Sequence, residues 1–140
     1  AAGLPILPGL LRWDEVLSGK VDHAIRFTVS RTQDSYVWPA RHRAGSNNDP
    51  GYPPMGARFR LKASFNIAGY SARAQVILRA MKRHGMVVAD NGSDWFFQGT
   101  ADTRWPSSLI GELKRVPAAG FEAVDVAPLT VSSNSGIARR

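Results

Sequence analysis

Cysteine is absent from the 140 residues. That excludes disulfides, thiolate catalysis and cysteine-ligated zinc. Long apolar runs are also missing. Nothing approaches the roughly 18 residues a membrane helix needs, so no membrane partner is expected. The opening AAGLPILPGLL has no basic n-region and holds two prolines, unlike a signal peptide. The chain begins without Met, which suits a processed or trimmed product. Nucleophile signatures of the GxSxG and SxxK types do not occur. The stretch NGSDWFFQG lacks the lysine and the following helix of a phosphate-binding loop. HxH and HExxH spacings are missing too, so neither a metal nor another cofactor is expected.

Lysine is scarce, with only Lys20, Lys62, Lys82 and Lys114, yet arginine carries the net charge to +7. A basic excess invites anionic partners. The cations are scattered, however, and the longest clusters are Lys82-Arg83-His84 and Arg139-Arg140. A solvated basic surface is the simpler reading, and nucleic acid is not expected as a partner.

No internal repeat or linker divides the chain. It reads as a single α+β domain over residues 1–126 and a tail over 127–140. Leu4 to Leu11 is broken by Pro5, Pro8 and Gly9 and reads as an extended arm. Trp13 to Leu17 suits one helical turn, stopped by Gly19. His23 to Val29 alternates and is rich in β-formers. Tyr36 to Trp38 suits a second short strand, and Arg41 to Met55 a long loop of Gly, Asn, Asp and Pro. Ala57 to Phe65 alternates strictly, with Arg58, Arg60 and Lys62 on one face. Ser71 suits an N-cap, and Val76, Ile77, Ala80, Met81 and His84 share a helical stripe ended by Gly85. Met86 to Ala89 and Trp95 to Gln98 then read as two strands around Asn91-Gly92, Pro106 to Val116 as a second helix, and Phe121 to Val126 as a last strand. Consecutive strands before the first helix favour a mainly antiparallel sheet or a barrel-like sandwich carrying two helices.

The stretch GMVVADNGSDWFFQGTADTRW, Gly85 to Trp105, concentrates carboxylates and aromatics. It suits a hairpin with Trp95 on the core, and equally a glycan site. Aromatic faces stack on sugar rings while carboxylates and amides bind hydroxyls. A hydrolase needs, in addition, two carboxyls across the scissile bond, one of raised pKa. His84, at a helix end, is read as structural. His23 and His42 follow or begin strands and, with Asp90, suit an acid–base set. Trp38, Arg41, Asn91, Trp95, Arg104 and Trp105 are the candidate substrate-binding residues around it.

The segments AAGLPILPGLLRWDEV, HAIRFTV, YVWPARH, PPMGARFRLKASFNI, QVILRAMKRHGMVVADNGSDWFFQG and FEAVD cover nearly the whole chain up to Asp125. In these words the chain resembles the C-terminal part of a group of uncharacterised secreted bacterial proteins of soil-type organisms. The resemblance implies export, hence an extracellular location, and an upstream segment of the same precursor as a partner. It implies no particular chemistry.

Three function classes stand open. The first, towards which the residues lean, is a secreted polysaccharide-degrading hydrolase using Asp90 and a second acid or histidine. The second is a non-catalytic glycan-binding module built on Trp38, Trp95 and Trp105. The third is a binder of anionic polymer using Arg58, Arg60 and Lys62 with Arg73, Arg79 and Lys82. Polysaccharide or oligosaccharide is the expected partner in the first two.

Overall fold

The computed structural model describes residues 1–139. Its strands are β1 (Ile25–Val29), β2 (Arg58–Leu61), β3 (Met86–Asn91), β4 (Phe96–Phe97) and β5 (Phe121–Val124). Its helices are α1 (Trp13–Ser18), α2 (Ala72–Arg83) and α3 (Ser107–Leu113). The strands form one sheet in the order β4-β1-β3-β2-β5, curled into a half-barrel. This is the α+β architecture the alternation suggested. The sheet is mixed: β1 and β3 run parallel, and every other neighbouring pair is antiparallel.

Residues paired across strands share a face. One face carries Ile25, Phe27, Phe59, Leu61, Met86, Val88 and Phe121. Helix α2 packs on it through Ala74, Val76, Ile77, Leu78, Ala80 and Met81, all buried. The helix starts where the Ser71 hydroxyl accepts from the Ala74 N–H at 3.3 Å. It stops at Gly85, whose φ is +72°. A Cβ there would stand 2.4 Å from the Phe59 carbonyl oxygen, so only glycine fits.

The opposite face carries Arg26, Val87, Arg58 and Val124 in one cross-strand row. The N-terminal arm runs over it. Ala2 donates to the Ala89 carbonyl at 3.0 Å, and its own carbonyl accepts from Arg41 at 2.7 Å. Gly9 lies on the Arg26 side chain, and Leu11 bridges Gly99 beyond β4. With both faces covered, all five residues of β1 are buried. Between Phe27 and Thr28 the register with β3 shifts, so that Thr28 pairs with Asp90. That irregularity turns Asp90 onto the face of Thr28 and Arg26.

Several expected elements are shorter or different. Tyr36 to Trp38 is not a strand: Tyr36 makes one isolated bridge to Met55. The long loop folds back along this segment, with Gln33 donating to Pro53, Asp34 to Asn47 and Val37 to Met55. Local alternation cannot show that a segment lacks a sheet partner. The 57–65 strand ends at Leu61, because Phe65 donates to Lys62 in a turn. Trp95 takes a positive φ of 57°, which confines the return strand to Phe96–Phe97. Residues 127–139 include a short 3-10 turn and a bridge from Thr130 to Ala138, and Gly136 lies against the Trp38 indole.

Candidate functional site

A polar cleft of about 270 Å³ opens at the carboxyl ends of the parallel pair β1 and β3. Its lining includes Ser30, Arg31, Thr32, Ser46, Asn47 and Asn91. All but Ser46 are held by hydrogen bonds. Ser30 follows β1 directly and is clamped by Asp94, which accepts from the Ser30 N–H at 2.6 Å and from its hydroxyl at 2.9 Å. Those two bonds hold the Asp94 carboxyl below its ordinary value. Asn91 ends β3 and donates from Nδ2 to the buried Thr32 hydroxyl at 3.1 Å. Asn47 is fixed by its carbonyl, which accepts from Asp34 at 2.7 Å, and by its side-chain oxygen, which accepts from Asp49 at 2.9 Å. Arg31 donates to the Tyr52 hydroxyl at 3.1 Å. The cleft thus offers hydroxyls, amides and one guanidinium, with the half-buried Tyr52 ring alongside.

Asp90 sits beside Asn91. Its partial burial would raise its pKa, but the Ala1 ammonium at 3.0 Å and the Asn91 N–H at 2.8 Å outweigh that and hold the carboxyl below its ordinary value. His42 lies near the same segment of the arm: its N–H donates to Ala2, and Gly3 lies against its ring. Trp38 stacks under Arg41, with the guanidinium carbon 5.0 Å from the ring centre.

His23 is elsewhere, and the expected set of His23, His42 and Asp90 is not assembled in one pocket. His23 precedes β1 whereas Asp90 lies near the end of β3, and β1 and β3 are parallel. The two residues therefore stand at opposite ends of the sheet, about 16 Å apart along the strands. His23 is bound instead to Glu15 of α1, with Nε2 3.1 Å from the carboxylate, and its Nδ1 faces the Ala24 carbonyl at 2.9 Å. Burial pushes the Glu15 carboxyl up, but hydrogen bonds from Arg12 and His23 together bring it below its ordinary value.

Trp95 and Trp105 line a different space, an apolar cavity of about 530 Å³ between the sheet and α3. Trp95 stacks on Phe27 and Phe121, with ring centres 5.2 and 5.0 Å away. Trp105 meets Trp13 edge-on and donates from its indole to Thr100 at 2.9 Å. Arg104 is tied to Asp102 and Asp14 at 2.6 and 2.8 Å. These three are thus separate from the polar cleft.

Ser30, Arg31, Thr32 and Asn47 did not stand out in the sequence. Asn47 had only its membership of a loop too long for a simple connection, and Ser30, Arg31 and Thr32 had no signal at all. Among the described residues, no three His, Asp or Glu side chains gather as a metal cage would require. No family model, no curated protein and no solved structure matches the chain.

Proposed function

We propose that the protein is an extracellular carbohydrate-binding module, holding a polysaccharide or oligosaccharide in the polar cleft without cleaving it. The observation that carries this is the cleft lining: hydroxyl and amide donors and acceptors held by hydrogen bonds, with one guanidinium, beside the Tyr52 ring. Sugar hydroxyls want both donors and acceptors, and an aromatic face takes the apolar side of a pyranose. Binding is favoured over hydrolysis by two carboxyls at the cleft's edge, Asp90 beside Asn91 and Asp94 bonded to Ser30. Asp90 and Asp94 are both held below the ordinary carboxylate value, and a glycosidase needs one of its pair raised above it. Export follows from the resemblance quoted above.

The test mixes purified protein with soluble and insoluble polysaccharides and scores retention and new reducing ends in the same samples. Retention without reducing ends is expected. Asn47→Ala and Asn91→Ala should each weaken retention roughly 3- to 10-fold, the worth of a neutral hydrogen bond. Failure of every polysaccharide to retain the protein, or unchanged binding in both variants, overturns the reading. Reducing ends that vanish with Asp90→Asn would establish a hydrolase instead.

A further inference from the structure

Arg26 is 8% exposed, and its Nε and Nη1 are sealed from solvent without a hydrogen-bond partner. A guanidinium cannot relieve this by losing its proton, because it stays charged at any ordinary pH. An unpaired buried charge is among the least favourable arrangements a fold can hold. The carboxylate that feels Arg26 is Asp90, and its oxygens already serve Ala1 and Asn91.

A second arginine stands beside it. Arg26 pairs with Val87, and Val87 pairs with Arg58, so both guanidinium side chains leave the same face of the sheet on either side of one valine. Two strand spacings put their Cα atoms about 10 Å apart, within reach of a shared anion. Arg58 is half-buried, and burial alone pushes it below its ordinary value, with no acid acting against it. The next cation on the same strand face is treated differently: Arg60 meets Glu122 at 2.6 Å. The fold supplies an acid to Arg60 and none to Arg58. Gly9 roofs the Arg26 side, where a Cβ would stand 3.0 Å from the Arg26 Cβ. On the other side Val124 is only half-buried, which leaves an approach over β2.

We propose that Arg26 and Arg58 together receive the carboxylate of an acidic sugar, a uronate unit of the bound glycan. Guanidinium forks match carboxylate oxygens two by two. The pair lies on the same sheet face as Thr28 and Asp90, and the cleft begins at Ser30, four residues and about 13 Å further along from Arg26. This inference rests on the carbohydrate reading. Sulfate and phosphate share the same oxoanion chemistry, so the experiment separates them.

Binding at low salt is measured for polygalacturonate and for its methyl-esterified, uncharged form, and the melting temperature is followed with galacturonate, sulfate or phosphate. The acidic polymer should bind at least tenfold more tightly than the ester, and galacturonate should raise the melting temperature more than either inorganic anion. Arg58→Gln should remove the tenfold preference. Arg26→Met should also remove it, and should raise the melting temperature of the free protein, since it deletes an uncompensated buried charge. Equal binding of acid and ester overturns the inference and leaves the carbohydrate reading standing. A response to sulfate or phosphate equal to that of galacturonate, without a polymer preference, also overturns it. Preference retained in Arg58→Gln does the same. Failure of both polymers, with no retention by any neutral glycan, overturns the carbohydrate reading itself.

Discussion

Asp94 shows how much one side chain can organise. Both its oxygens are spent on Ser30, and Ser30 is a wall of the polar cleft. Its carboxyl titrates lower when folded than when unfolded. The stability it contributes is therefore complete above pH 3.8, its ordinary value, and is lost as pH falls through the lower folded value. Asp94 is exposed, so solvent screening keeps that contribution small. Melting temperatures followed from neutral pH to the acid side of 3.8 should fall less steeply for Asp94→Asn than for the parent. An identical slope would remove Asp94 from the clamp. The same residue also marks where sequence reading stopped. Asp94, Trp95 and Asp90 were visible as a dense group of functional types. Nothing in their spacing said that the irregularity after Phe27 would turn Asp90 to one face while Trp95, at positive φ, entered the aromatic cluster with Phe27, Phe59 and Phe121.

The elements differ in how much of them is written locally. Helix α2 was legible from end to end, because its cap, its apolar spacing and its glycine stop are all near neighbours in sequence. Ile77 is fully buried on its stripe. Ile77→Ala should cost roughly 2–5 kcal/mol, read from chemical denaturation; a loss below about 1 kcal/mol, one methylene's worth, would mean the stripe is not packed. Strand β1 was legible as a strand but not as a strand covered on both sides. Its alternation put Arg26 and Thr28 outward, but the arm of residues 1–11 covers Arg26, and Thr28 lies under Gly92 and donates to the Ser93 carbonyl. The parallel pairing of β1 with β3 was hidden for the same reason. It depends on partners about sixty residues apart, which no window of periodicity spans.

At the scale of the whole molecule, the net charge of +7 is spread over cations that are mostly occupied. Arg60 is paired with Glu122, Lys62 donates to the Ala119 carbonyl, and Lys82 donates to the carbonyls of Ala63 and Phe65. DNA should therefore bind weakly, and a modest rise in salt should abolish its binding. Tight, selective binding that survives added salt would point to a polyanion groove. No helix is long and apolar enough to cross a membrane among the described residues. The placement of β1 has a kinetic consequence as well. This most deeply buried strand has both its partners, β3 and β4, far downstream in the chain. Until residues beyond 91 are present and docked, β1 is an apolar segment with two open edges. Closing such long loops before any pairing rewards them slows folding. It also leaves a sticky strand exposed in the meantime, so productive folding competes with self-association in a way that worsens as the protein concentration rises.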